Sequence, residues 1–138
     1  MSPIPAVERY DGVFFRQFRK YRREGKLRHT DLVIISPKKG ILLANTLVPY
    51  EEPYAGKMGD LKSANPDTDL RRRENLRQLN KILQRNYSEI YVNCGQQFLQ
   101  LIEGFQELTS AKITLAEGGG LGPKAAHMKE WIGANGNL

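Results

Sequence analysis

Cysteine is almost absent: Cys94 is the only one in 138 residues. An intramolecular disulfide is therefore excluded, and so is a cysteine-rich zinc module. Histidine is nearly as scarce, with His29 and His127 alone. No metal-ligand spacing and no pair of carboxylates spaced for glycoside hydrolysis stands out. No run approaches the roughly 20 apolar residues of a membrane span. The opening MSPIPAVERYDG lacks the apolar core of a secretory leader. The expectation is a cytoplasmic protein with no membrane contact, no metal and no cofactor. There is no internal repeat and no second-domain boundary, so 1–138 is expected as a single domain. Hydrophobic residues reach 40% and charged residues 26%, a globular rather than disordered balance. A chain of this length buries roughly two-thirds of its unfolded surface and needs no covalent staple.

What is present is a surplus of positive charge, and it is unevenly placed. The net charge is +6, yet residues 1–30 carry +5, residues 71–88 another +5, and the intervening and final segments −2 each. Two short basic blocks thus hold the whole excess.

Residues 1–10, with Pro3 and Pro5, read as an extended arm. Asp11 is a suitable N-cap for a helix over Gly12–Glu24, in which Phe14, Phe18 and Tyr21 form an apolar stripe beside Phe15. Its other face carries Arg16, Arg19, Lys20, Arg22 and Arg23, and Gly25 closes it. Asp31–Ser36 is a β-branched apolar run, as in a strand buried on both faces. Pro37–Gly40 breaks it, and Ile41–Leu43 adds a second short extended piece. Residues 44–66, rich in proline and glycine, read as a long loop of the kind that is often functional. Asp67–Asn86 is the longest helical pattern, capped near Asn65 or Asp67, with Leu76, Leu79 and Leu83 in register. A strand at Glu89–Asn93, a helix at Gln96–Leu108, a strand at Lys112–Ala116 and a helix opening near Pro123 and running through Trp131 follow. Residues 133–138 read as a frayed tail.

Strands alternating with helices predict an α/β fold: a short, mostly parallel sheet covered on both faces. Ligands of such sheets bind beyond the carboxyl ends of the strands. Three ends define the expected edge: Ser36–Gly40, Asn93–Gly95 and Glu117–Lys124.

Several short motifs then resemble the signature of an uncharacterised bacterial and phage domain family. They are Tyr10-x-Gly12-x-x-Phe15-Arg16, Ile35-Ser36-x-Lys38-x-Gly40-Ile41-Leu42 and Pro49-Tyr50. Further along, Val92-Asn93-x-Gly95, Gly118-Gly119-Gly120-Leu121-Gly122 and Met128-Lys129-x-Trp131 fit the same pattern. That family is placed near the peroxide-stress proteins and looks distantly like an accessory domain of archaeosine synthases. The resemblance spans roughly residues 10–131. It implies a three-layer α/β/α domain of uracil-DNA-glycosylase-like topology, with neighbours in nucleic-acid and nucleobase chemistry. It implies no settled reaction. Relatives begin with an additional strand ending in a Cys-Ser-Lys-like motif, and this chain starts after that point.

Four sets of residues carry the chemistry. The cluster Gly118, Gly119, Gly120 before Lys124 lets backbone N–H groups turn toward an anion at a helix N-terminus. It matches neither GxxxxGK[ST] nor GxGxxG, and a tight strand-to-helix turn explains it equally. Ser36 and Lys38 stand at a second strand end, where a lysine can hold a phosphate, although exposed turn lysines are commoner. Arg73, Arg77, Lys81 and Arg85 repeat at four-residue spacing and so share one helix face. Like charges at that spacing repel, which a polyanion relieves and solvent tolerates. With Arg16 and Arg19 they are the expected nucleic-acid contacts. Glu117 and His127 are the candidate proton donor or acceptor, and Asn93 reads a base or ribose edge or caps the next helix. Cys94 reads as a buried, inert thiol.

The leading expectation is a protein that binds RNA or DNA by its basic helices and presents a base or nucleotide to the strand-end edge. If it is an enzyme, the chemistry is at a nucleobase or glycosidic bond. Two alternatives stand beside it. One is a free-nucleotide or small-anion binding module. The other is a non-catalytic interaction domain, pairing with itself or a protein partner through an exposed sheet edge.

Overall fold

The computed structural model describes residues 3–9, 12–36, 39–48 and 66–135. The fold is mixed α/β. In order it runs β1 (Ile4–Pro5), α1 (Ala6–Arg9), α2 (Val13–Arg23), β2 (Val33–Ser36), β3 (Gly40–Leu43), β4 (Leu47–Val48), α3 (Pro66–Ile82), β5 (Glu89–Val92) and α4 (Gln96–Leu99). Two 3₁₀ turns follow, at Gln100–Ile102 and Phe105–Leu108, then β6 (Lys112–Leu115) and α5 (Leu121–Asn135). Among the described residues no helix is long and apolar enough to cross a membrane.

The described strands pair two by two: β1 with β4, β2 with β3, and β5 with β6. Connection length dictates the directions. Three residues join β2 to β3, far too few for a parallel crossover, which takes a dozen or more. Between β5 and β6 lie α4 and both 3₁₀ turns, and this pair is parallel, Ile90 opposite Ile113 and Val92 opposite Leu115. β1 and β4 run antiparallel, Ile4 opposite Val48. The parallel order expected of the sheet thus holds for β5–β6.

The chain divides into two compact units: residues of 1–34, 42–51 and 116–138 make the first, and those of 35–41 and 52–115 the second. In the first unit Ala6, Ile34, Leu42 and Val48 form a buried cluster, with Phe15 and Leu32 packed against it. The opening segment is extended only at Ile4–Pro5. Ala6–Arg9 then makes one helical turn, because its amides find partners: Ala6 N–H donates to the Thr46 carbonyl at 2.7 Å and Val7 N–H to that of Ala44 at 3.0 Å. The expected stripe of α2 is buried at Phe18 and Tyr21 and half-buried at Phe14. α2 packs on α5, where the Gln17 side-chain amide donates to the Ala125 carbonyl at 2.9 Å. Asp11, the expected cap, lies outside the described residues, and Gly12 takes the N-cap position without a side-chain bond. Of the expected loop 44–66, Leu47–Val48 is strand β4 and 49–65 lies outside the described residues. α5 continues helical to Asn135, and 136–138 lies outside them too.

In the second unit α3 buries Thr68, Asn75 and Leu79, while Leu101, Ile102 and Phe105 are buried from the 3₁₀ turns. Each apolar side chain fully buried in this way stabilises by about 1.5–3 kcal/mol. The helix expected over Gln96–Leu108 is broken in two. Glu103 leaves the helical region at ψ 130 and Gly104 takes φ 94, a left-handed conformation that side chains other than glycine rarely adopt. The apolar spacing survives because 3₁₀ turns stack residues three apart.

Candidate nucleic-acid interface and glycine loop

On α3 the buried positions Thr68, Asn75 and Leu79 lie on one side, and Arg73, Arg77 and Lys81 are exposed. At 100° per residue the three cations centre about 180° from that buried side, and successive cations rise about 6 Å along the axis. They form a ridge facing solvent. Arg85, expected as its fourth member, lies past the helix end. The backbone there tightens, Leu83 N–H reaching the Leu79 carbonyl but Arg85 N–H that of Ile82, so Arg85 leaves the helical spacing.

Glu74 stands beside this ridge. Its Oε2 accepts from Arg77 Nε at 3.0 Å and its Oε1 from Arg77 Nη2, with Gln78 Nε2 at 3.3 Å from the same Oε1. These bonds from Arg77 hold the Glu74 carboxyl below its ordinary value, Lys81 adding its field. The bond to Glu74 raises the Arg77 guanidinium in turn. Both groups therefore stay charged at neutral pH.

The rear of α3 is held by polar side chains that a search for apolar spacing does not find. Arg72 Nε donates to the Gln100 carbonyl at 2.7 Å and Nη1 to Asp69 Oδ1 at 2.7 Å, with Glu103 at 3.7 Å from Nη2. Asn75 Nδ2 donates to the Leu101 carbonyl at 3.0 Å, and Gln78 Oε1 accepts the Ile41 N–H at 3.2 Å. The signal in the sequence is the three-residue spacing of Arg72, Asn75 and Gln78 along the edge of the leucine face. Gln78 fixes the start of β3, and a Cβ on Gly40 would stand 3.1 Å from Asn75 Oδ1. In the same turn Ser36 is buried and its Oγ accepts the Lys39 N–H at 3.0 Å. That hydroxyl is thus a turn-former. Lys38 lies outside the described residues.

On α2, Arg16 is exposed, but Arg19 is half-buried, and its Nη1 donates to the Val7 carbonyl at 2.8 Å. The reason is geometric: one turn of α1 leaves its carbonyls without helical partners, and a guanidinium reaches one of them. Arg9 serves Val48 in the same way, Nε and Nη2 both 3.3 Å from its carbonyl. Asn93 and Cys94 are half-buried, so the thiol is less enclosed than expected; α4 opens at Gly95, without a side-chain cap.

The glycine loop of the first unit brings the two candidate proton carriers together: His127 Nε2 lies 3.9 Å from Glu117 Oε2. Glu117 is 82% exposed and His127 24%. Lys124 is half-buried, and its N–H donates to the Gly120 carbonyl at 3.3 Å, closing the first turn of α5. Gly118, at φ 130, is required by the loop: a Cβ there would stand 2.5 Å from Pro123 Cβ. Gly118→Ala is expected to cost about 1–3 kcal/mol in thermal unfolding. Gly119→Ala, whose Cβ meets nothing within 4 Å, is expected to stay within about 0.5 kcal/mol. Equal effects of the two would show that the loop is not held in this conformation. Of the expected edge, 36–40 and 93–95 belong to the second unit and 117–124 to the first.

No family model, no curated protein and no solved structure matches the chain.

Proposed function

We propose that this is a nucleic-acid-binding protein that contacts the phosphate backbone of RNA or DNA through α3, with α2 as a second basic surface. In this reading a nucleobase or nucleotide meets the strand ends carrying Ser36, Lys38 and Asn93 or the loop Gly118–Lys124. The three-layer, uracil-DNA-glycosylase-like arrangement, the kinship with the uncharacterised family and a cytoplasmic setting belong to the same proposal. The observation that carries it is the ridge of Arg73, Arg77 and Lys81, turned to solvent with Glu74 beside it and Asp69, bonded to Arg72, one turn before it. A folded helix that lines up like charges gains when a polyanion neutralises them and releases counterions. If the protein is also an enzyme, Glu117 and His127 are the pair placed to move a proton at a base or glycosidic bond.

Titration of a labelled single-stranded oligonucleotide at several salt concentrations tests the reading. The expected result is a log K that falls linearly with log salt, the ridge alone supplying a slope of about −2. No binding at low salt overturns it.

A second reading, a free-nucleotide or small-anion module, is favoured by the positive φ of Gly118 and Gly120 beside Lys124. It requires mononucleotide binding that changes little with salt, with indifference to long polyanions.

A further inference from the structure

The geometry points to Glu74 as a built-in stand-in for phosphate, which holds Arg77 in the ridge and is displaced when one strand of single-stranded nucleic acid lies along α3. This rests on the reading that α3 takes a phosphodiester backbone, and adds how that site is occupied before the strand arrives.

Arg77 presents the fork of a guanidinium, whose paired N–H groups suit two oxygens of one carboxylate or one phosphate. Glu74 already takes both, one oxygen on Nε at 3.0 Å and the other on Nη2. The pair is fully at the surface, roughly half of each side chain being exposed, so an incoming anion can compete for the fork. Arg73 and Lys81 have no such partner among the described residues. The middle rung of the ridge is thus occupied while the outer two are open.

The same geometry selects one strand. The rungs follow a single line with a rise of about 6 Å each, close to the separation of neighbouring phosphates along one backbone. On the helix the neighbours of that line are uncharged or acidic: Asn80 on one side, bonded to Gln84 Nε2 from past the helix end, and Glu74 on the other. Arg71, the next exposed cation of the helix, is turned about 160° from Arg73. A second backbone meets no second row there.

Glu74→Gln removes the competing charge and keeps a side chain of nearly the same shape and helix propensity. With labelled oligouridylate at about 0.1 M salt, removal of the competitor is expected to tighten binding about fivefold and to leave the salt slope near its wild-type value, because Arg77 meets a phosphate in both bound states. Glu107→Gln, an equal change of net charge on the exposed face of the second 3₁₀ turn, is the control and is expected to change affinity less than twofold. In an Arg77→Ala background Glu74→Gln is expected to change affinity less than twofold, as the control does, because the fork it frees is gone. Failure of the wild-type protein to bind at all overturns the broader reading. Binding that Glu74→Gln leaves unchanged, or that Glu107→Gln raises equally, overturns the stand-in alone. Tighter binding to duplex than to single strands overturns the choice of one strand.

Discussion

Alanine at Arg73, Arg77 and Lys81 together is expected to lower affinity for a single strand about a hundredfold at about 0.1 M salt and to flatten the salt slope by about 2. Each phosphate neutralised on a single strand contributes about 0.7 to that slope, so three cations account for it. The ridge is exposed and alanine is the best helix former, so the helix keeps its place and the loss reads on binding. Circular dichroism with an unchanged helical signal checks that point. A triple variant that binds with the wild-type slope would move the nucleic acid away from α3, to α2 and its Arg16. Arg19 cannot serve as a clean counterpart in that comparison. Its guanidinium is bonded to the Val7 carbonyl, so Arg19→Ala alters folding as well as charge.

Leu101→Ala is expected to have the largest effect on stability, a loss of about 2–5 kcal/mol. Leu101 is 1% exposed, on the 3₁₀ turn that faces α3, and its carbonyl accepts from buried Asn75. Truncation leaves a void against α3 and loosens the turn that Arg72 and Asn75 hold. For a chain of this size the midpoint of thermal unfolding drops by roughly 10 °C. Glu107→Ala, two residues past Phe105 and exposed, is the comparison and should leave it nearly in place. A shift of no more than a degree or two for Leu101→Ala would show that the turn does not pack as described.

How far the sequence could be read follows from what each signal encodes. β5, β6 and α5 stand where alternation and glycine breaks put them, because short β-branched runs bounded by turns have few other solutions. The ridge was legible as charge at four-residue spacing, since that spacing lies on one helical face whatever the surroundings. Its fourth member was not, because Arg85 keeps the spacing in sequence while the helix ends at Ile82. Residues 96–108 carry the apolar spacing of a helix, and Leu101, Ile102 and Phe105 are buried as that spacing asks. Gly104 decides the backbone, and apolar spacing does not register it. The rear of α3 is illegible for a different reason: Thr68, Arg72, Asn75 and Gln78 are polar and add nothing to an apolar pattern, yet each is spent on a backbone group or on burial. The glycine loop was visible, and so were Glu117 and His127 as candidates. That they approach within 3.9 Å depends on the helical turn that returns His127 to the loop.

The polar rear of α3 also acts as a key on a shaft. A helix seated by leucines alone can slide or roll, since one apolar face fits a groove almost as well after a small rotation. Arg72, Asn75 and Gln78 instead meet particular carbonyl and amide groups in set directions, and directional bonds in a buried or half-buried setting single out one arrangement. A slip of one residue would swing the solvent side by about 100° and sever all three at once. The azimuth of the basic ridge is therefore dictated from behind, by residues whose bonds run to the protein's own backbone.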